Sequence, residues 1–352
     1  MAAADGRGGA RGHLDGSGRL RVIVLYDGGA EDWTTEDVQS VLEPVRAVAA
    51  VLRRAKHKVR RTAVHAGLDW LDAVRSADVV FNLCEGIGGI SHLEYKVASA
   101  IDLVGVPYTG AGAWSMTVCH QKPLLNAVLG AAGLPIPDWA TITPNDQLDR
   151  FPLPALVKPA AEDASVGIDQ GSVVTTRAAL RARVKHLGAS FSEIMVQRYI
   201  HGRELAVGIV GDRVLPISEI DFSDMPVDAW PILSFAAKWT PGSAEDAGSQ
   251  PVCPADVEPA LAERLVDLAL RAWRAVRGEG YARVDFRVDQ DGRPWILEVN
   301  PNPDISTDAG LARMARAGGW SYSDLVLQIL SEVTSRQAST PASAPAIGRV
   351  QA

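Results

Sequence analysis

Apolar positions recur along this chain in two rhythms, and the change from one to the other divides it. Residues 20–26, LRVIVLY, are almost continuously apolar, as a strand buried on both faces of a parallel sheet requires. Residues 35–55, TEDVQSVLEPVRAVAAVLRRA, repeat apolar positions every three to four residues, which predicts an amphipathic helix with Pro44 as its natural kink. Strands at 58–64, 78–84 and 106–110 follow, with a short helix near 68–76 and another across 91–103. This βαβα order predicts a doubly wound α/β unit over 20–120.

The pattern then loosens. Between 121 and 200 a helix at about 120–132 stops at Gly133, and prolines hold LPIPDWATI extended. ALVKPA at 155–160 and EIMVQRYI at 193–200 read as strands, separated by the loop AEDASVGID and a helix near 175–188. These elements form a small α+β unit. A third unit, 201–333, opens with a hairpin at 204–220 turning at Gly211-Asp212. An irregular stretch from 221 to 253 follows, and loops of that length usually carry function or are disordered. Then come a helix from an Asp256 cap to Gly278, a second hairpin, and helices near 308–317 and 322–333. Residues 1–19 and 334–352 are small and polar, and read as a disordered leader and tail. No internal repeat is present.

Composition narrows the function. The net charge is −7, and RRAKHKVRR at 53–61 is the one short basic run, so a nucleic-acid partner is not favoured. No apolar run reaches the roughly 20 residues of a membrane span, and the start lacks the apolar core of a signal peptide. Cys84, Cys119 and Cys253 are far apart with no CxxC, which fits a reducing cytoplasm.

The candidate chemistry gathers in RVDFRVDQDGRPWILEVNPNP, residues 283–303. Asp291-Gly292 between two alternating runs predicts a hairpin with a two-residue turn. That register sets Asp285 opposite Glu298 and Arg283 opposite Asn300, with opposed Cβ atoms about 5 Å apart. Like charges so placed repel unless a cation lies between them. Two carboxylates and an amide oxygen suit Mg2+, which completes its shell with water and phosphate oxygens. Arg283, on the same face, is suited to developing negative charge. The competing reading is a solvated hairpin with its charges outward. The apolar face of Trp295, Leu297 and Val299 and the Asn-Pro-Asn-Pro exit weigh against that.

Three lysines add to this. Lys158 interrupts an apolar strand, Lys238 has apolar neighbours inside the irregular stretch, and Lys122 begins a helix against the dipole preference. No Walker-type loop occurs, but Ser165 and Gly167 lie in a small-residue loop where backbone could approach phosphate. At the crossover VQRYIHGRE a base could take main-chain bonds, with Glu204 reaching ribose hydroxyls. Glu85 follows a strand of the first sheet, where substrates of such folds bind. Glu31, Glu36 and Asp37 could hold an ammonium or simply cap a helix.

Taken together, these segments resemble the ATP-grasp superfamily, and within it the D-alanine–D-alanine ligase group, over roughly 20–333. ARVDFRVDQDGRPWILEVNPNPDIS and VGVPYTGAGAWSMTVCHQKPLLNAVLGAAGLPIPDW carry the resemblance. It implies a three-domain ATP-grasp architecture with a doubly wound N-terminal domain. It implies phosphate contacts at Lys122, Lys158 and Lys238. Adenine would meet Gln197 and the backbone from Arg198 to Ile200, and ribose would meet Glu204. The metal set would be Asp285, Glu298 and Asn300, holding two Mg2+ ions for which Mn2+ can substitute. Arg283 would stabilise the acyl phosphate, with Lys238 and Ser165 completing the catalytic set and Gly167 in the closing loop. Homodimers are usual in this family.

The departures lie on the substrate side. The family's Glu-Gly-Ser-Ser-x-Gly loop is Glu-Asp-Ala-Ser-Val-Gly here, so Ala164 stands at a substrate-orienting serine. Trp239 stands at a tyrosine, Asp304 at an oxyanion glycine, and Ile90, Ser91 and His92 at the family's acids. The expectation is therefore an ATP-dependent carboxylate–amine ligase whose acid or amine is not D-alanine. A true D-alanine–D-alanine ligase and a non-catalytic nucleotide-binding protein are the alternatives.

Overall fold

In the computed structural model, which describes residues 18–142 and 150–339, the first apolar run becomes the centre of a parallel sheet. Arg21–Asp27 lies between Lys58–Val64 and Val79–Asn82, parallel to both. Helix Thr35–Arg54 retains Pro44 and buries Val45, Val48, Ala49 and Leu52. The strand expected at 106–110 is reduced to one bridge, Tyr108 to Val80, because proline and glycine leave no room for a ladder. Helix Ala113–His120, which the pattern did not predict, precedes helix Lys122–Ala131.

The second sheet is antiparallel, in the order Trp139–Ile142, Ile194–Arg198, Ala155–Pro159, Val173–Val174, with helix Arg177–Leu187 supplying Leu180, Val184 and Leu187 to its core. The third is the largest. Its order is Gln250–Val252, Ser218–Asp221, Gly202–Val210, Tyr281–Asp289, Pro294–Asn300, with Arg213–Val214 returning on Gly202–Val210. Helix Pro259–Ala275 covers it with Leu265, Leu268 and Trp273, packed among Val284, Phe286, Ile296 and Val299. Burying each such side chain contributes about 1.5–3 kcal/mol. The helix cap is Glu258, not Asp256: with proline at the first helical position, the chain enters two residues later than expected.

The stretch 221–253 is more ordered than its composition suggests. It holds the short helices Phe235–Trp239 and Ala244–Ala247 and the strand Gln250–Val252. The last helix, Tyr322–Ser339, runs past 333, so 334–339 belong to the fold rather than the tail. The rest of the expected tail, and nearly all of the expected leader, lie outside the described residues. Among the described residues no helix is long and apolar enough to cross a membrane.

Candidate active site

The hairpin at 281–300 keeps its register at the site by two compensating irregularities. Its turn is longer than two residues: Val288 pairs with Pro294, Asp289 N–H donates to Arg293 O, and Gly292 takes φ +71°. A bulge between Asp285 and Phe286 then restores the pairing, so Asp285 faces Glu298 and Arg283 faces Asn300. Both carboxylates line a cleft between the second and third sheets, with Lys158, Gln197, Glu204 and Lys238 also on its wall.

Arg283 grips Asp285 through two parallel bonds, Nε to Oδ1 at 2.7 Å and Nη2 to Oδ2 at 2.9 Å. The charge of Asp285 raises the guanidinium's pKa. The donors fit a hard divalent cation: two opposed carboxylates, with the Asn300 amide oxygen next along and already accepting from Asn302 N–H at 3.1 Å. Among the described residues no group of three or more His, Cys, Asp or Glu side chains could hold a metal. The shell would therefore be completed by the amide, water and phosphate oxygens.

Lys158 and Lys238 reach the cleft from different elements, whereas Lys122 does not line it and donates instead to Glu162 O and, at 3.1 Å, to Asp163 Oδ1. Lys158 is buried on Ala155–Pro159; burial, with the nearby charge of Lys122, lowers its pKa to about 8. Lys238 is reachable from solvent yet surrounded by protein at the cleft mouth. That surrounding, together with Arg283, lowers its pKa. Lys122 is buried, and its pKa is raised, because Asp163 outweighs the desolvation. Gln197 is buried with no partner for Nε2, an amide donor left over in the wall where adenine was expected. Ile200 also lines the cleft, and Arg198 stacks on Trp295 at 4.5 Å. Glu204 accepts from Arg287 at 2.7 Å through Oε2, which leaves Oε1 for a ribose.

The loop 161–169 closes over this cleft in a strained form. Ala164 and Ser165 both have positive φ, +53° and +62°, as does Gly167 at +73°. A Cβ on Gly167 would come within 2.7 Å of Pro159 Cγ, so glycine is required there. Ser165 Oγ donates to Leu233 O at 2.7 Å, and Trp239 Nε1 donates to Ala164 O at 3.0 Å. Two departures from the family pattern thus meet: the indole reaches the backbone of the residue that lost its hydroxyl. The cleft measures about 120 Å3, below the roughly 300–1,000 Å3 of small-molecule pockets, and Ser165 and Ile168 of the loop are among the residues that narrow it.

Glu85 and Asp304, expected on the substrate, do not line the cleft; Glu85 is exposed to solvent yet walled by protein. Desolvation, then Asp304, Glu94, Asp163 and Asp27, push its carboxyl up to about 8. Asp304 accepts from Ser306 N–H and Oγ. Two expected ammonium ligands are elsewhere. Asp37 closes a capping box with Thr34, and Glu36 is exposed in the same helical turn, where acids suit the dipole. Neither lines the cleft.

Sequence reasoning missed Arg287, Asp163, His120, Glu94 and Asn302. Arg287 had a readable signal, since it lies two residues beyond Asp285 on the same face. It is 3% exposed and holds Glu204, Gly202 O and Pro231 O. The other four come together only through tertiary contacts.

Comparison with known proteins agrees with this geometry. The family model described as D-ala D-ala ligase C-terminus matches residues 128–331. A D-alanine–D-alanine ligase of Desulfotalea psychrophila is 31% identical over 319 residues, 88% of this chain and 93% of that protein. Among solved structures, the D-alanine–D-alanine ligase of Bacillus anthracis superposes with TM-score 0.74 at 23% identity, covering 91% of this chain and 99% of that one. VanG D-Ala:D-Ser ligase of Enterococcus faecalis gives 0.71 at 20%, covering 90% and 100%. The three-sheet ATP-grasp fold is thereby established, and the chain belongs to the D-alanine–D-alanine ligase family of ATP-dependent, divalent-metal-using, C–N bond-forming enzymes.

Proposed function

We propose that this protein joins two molecules of D-alanine at the expense of ATP. The observation that carries the ligase chemistry is the convergence of Arg283, Asp285, Glu298, Lys158 and Lys238 on one cleft from separate elements. The choice of D-alanine is supported by the similarity to relatives that bear that name. They favour it over the different substrate expected from Ala164, Trp239 and Asp304.

The reaction has two steps. An oxygen of the first carboxylate attacks the γ-phosphorus, and ADP leaves. The second amine then attacks the acyl carbon, phosphate leaves, and the amine gives up a proton. Lys158 and Lys238 hold the transferring phosphoryl group. Arg283, fixed by its fork to Asp285, stabilises the oxyanion. A divalent cation held by Asp285, Glu298 and Asn300 would neutralise phosphate charge. Catalysis of this kind is positioning plus charge stabilisation. A homodimer, usual in the family, belongs to the same proposal.

A second reading, the same reaction on a different acid, amine or both, rests on the departures at Ala164, Trp239 and Asp304. Phosphate release with ATP and D-alanine alone, then with other amino acids singly and in pairs, separates the two. Release with D-alanine alone is expected; silence there and release with another pair would replace it.

A further inference from the structure

Three parts of the chain meet at one buried imidazole. His120 ends helix Ala113–His120 and is 6% exposed. Its Nε2 lies 2.7 Å from Glu94 Oε2, in the first turn of helix Glu94–Val104, and its Nδ1 faces Asp163 Oδ2 in the closing loop. Glu94 Oε1 accepts from Asn302 Nδ2 at 2.6 Å, and Asn302 Oδ1 accepts from the Tyr281 hydroxyl at 2.6 Å. A polar chain thus runs from the third sheet, through the first unit, to the loop. With a carboxylate at each nitrogen, the imidazole carries both protons. Burial alone would work against this, but the ion pair with Asp163 and the Nε2 hydrogen bond to Glu94 outweigh it.

The loop needs such a tie. Consecutive non-glycine residues at positive φ persist only where surroundings hold them. Ser165 and Trp239 bind its far side to the 233–239 segment. On the near side Asp163 has two cations, His120 and Lys122, the latter at 3.1 Å. Lys122 is the one expected to turn to nucleotide phosphate. His120 is braced by Glu94 and has no such second duty.

We propose that His120 is a positioning residue for the ligase reaction, latching the loop 161–169 shut through Asp163 with Glu94 as its brace. The mechanical part stands on the contacts alone; its chemical consequence rests on the proposed function. A latched loop excludes water, so the acyl phosphate meets the amine rather than hydrolysing.

The test uses the full chain as wild type, His120→Gln, Asp163→Asn and the double variant. Hydrogen exchange of the 161–169 amides should quicken about tenfold in His120→Gln and at least as much in Asp163→Asn, which also releases Lys122, while the double variant should match Asp163→Asn. Strand Tyr281–Asp289 should keep its protection. With ATP and D-alanine, ADP formed per amide bond should rise above the one-to-one ratio of the wild type. Should His120→Gln fail to fold, Asp163→Asn decides, since its side chain lies in the loop. Wild-type exchange of that loop in Asp163→Asn overturns the latch. If the wild type itself makes no ADP with any amino acid, the ligase reading fails, while the exchange result still judges the latch.

Discussion

Charge placement at single residues governs the site. Glu298 is a member of the fold only through its backbone, whereas its carboxylate faces Asp285 across the hairpin. Glu298→Gln should therefore lower turnover by at least about 100-fold while the circular dichroism spectrum and melting temperature stay as in the wild type; an active variant would remove the metal assignment. Arg283 acts through a rigid fork that lysine cannot reproduce. Arg283→Lys should cost roughly 3 kcal/mol in kcat, and a loss confined to KM would contradict its role on the oxyanion.

Lys158 makes the site sensitive to pH. Burial and Lys122 lower its pKa to about 8, so the charged form is present below that value and lost above it. In the free enzyme, kcat/KM for ATP should decline as pH rises through about 8, and Lys158→Arg, which stays charged, should abolish the decline. The residues that were legible in the sequence share a feature: each interrupts a local pattern, as Lys158 does in ALVKP or Asp285 opposite Glu298. His120 and Glu94 interrupt nothing. Their pairing depends on how two helices cross, which no spacing encodes.

At the level of elements, the late hairpin shows how a correct conclusion can follow from an incomplete account. The expected two-residue turn is longer in the structure, yet a bulge beside Asp285 returns the carboxylates to opposition. Bulges of this kind re-aim side chains next to active sites. The long apolar strands and helices were legible because their periodicity is strong. The weak elements were not: Ala113–His120 buries the polar Ser115 and His120 among its apolar residues and so shows no amphipathic stripe, and 106–110 has proline and glycine where a ladder would form. The closing loop is the element most open to test. Gly167→Ala places a Cβ against Pro159 at a positive φ. It should raise KM for ATP at least about tenfold while shifting the melting temperature little, because the loop is a local unit. An unchanged KM would show that the loop does not cover the nucleotide.

Taken whole, the molecule is a set of three sheets, of which the second and third enclose the cleft. The second sheet brings Lys158 and Gln197 and the third brings the carboxylates, while Glu85, just past a strand of the parallel sheet, stands outside the cleft's lining. No single unit holds enough of the site to bind a nucleotide tightly, so nucleotide binding should couple to closure of the whole. The sequence could foretell this coming together only through family resemblance, because periodicity assigns faces within a unit and says nothing of how units meet. Substrate identity was the least legible property. The departures at Ala164 and Trp239 suggested a new substrate; in the structure Trp239 Nε1 donates to Ala164 O, which gives this pair a part in tying the loop.

The most direct measurement is the melting temperature of the wild type and of Glu298→Gln with ATP alone and with ATP plus Mg2+. At nucleotide about 100-fold above its dissociation constant, binding should stabilise the wild type by roughly 2.7 kcal/mol, a shift of several degrees, only when Mg2+ is present. The variant should lose that shift. A wild type that is indifferent to magnesium-loaded ATP, or a variant that responds as fully as the wild type, would contradict the central claim that the opposed carboxylates grip a nucleotide through a metal ion.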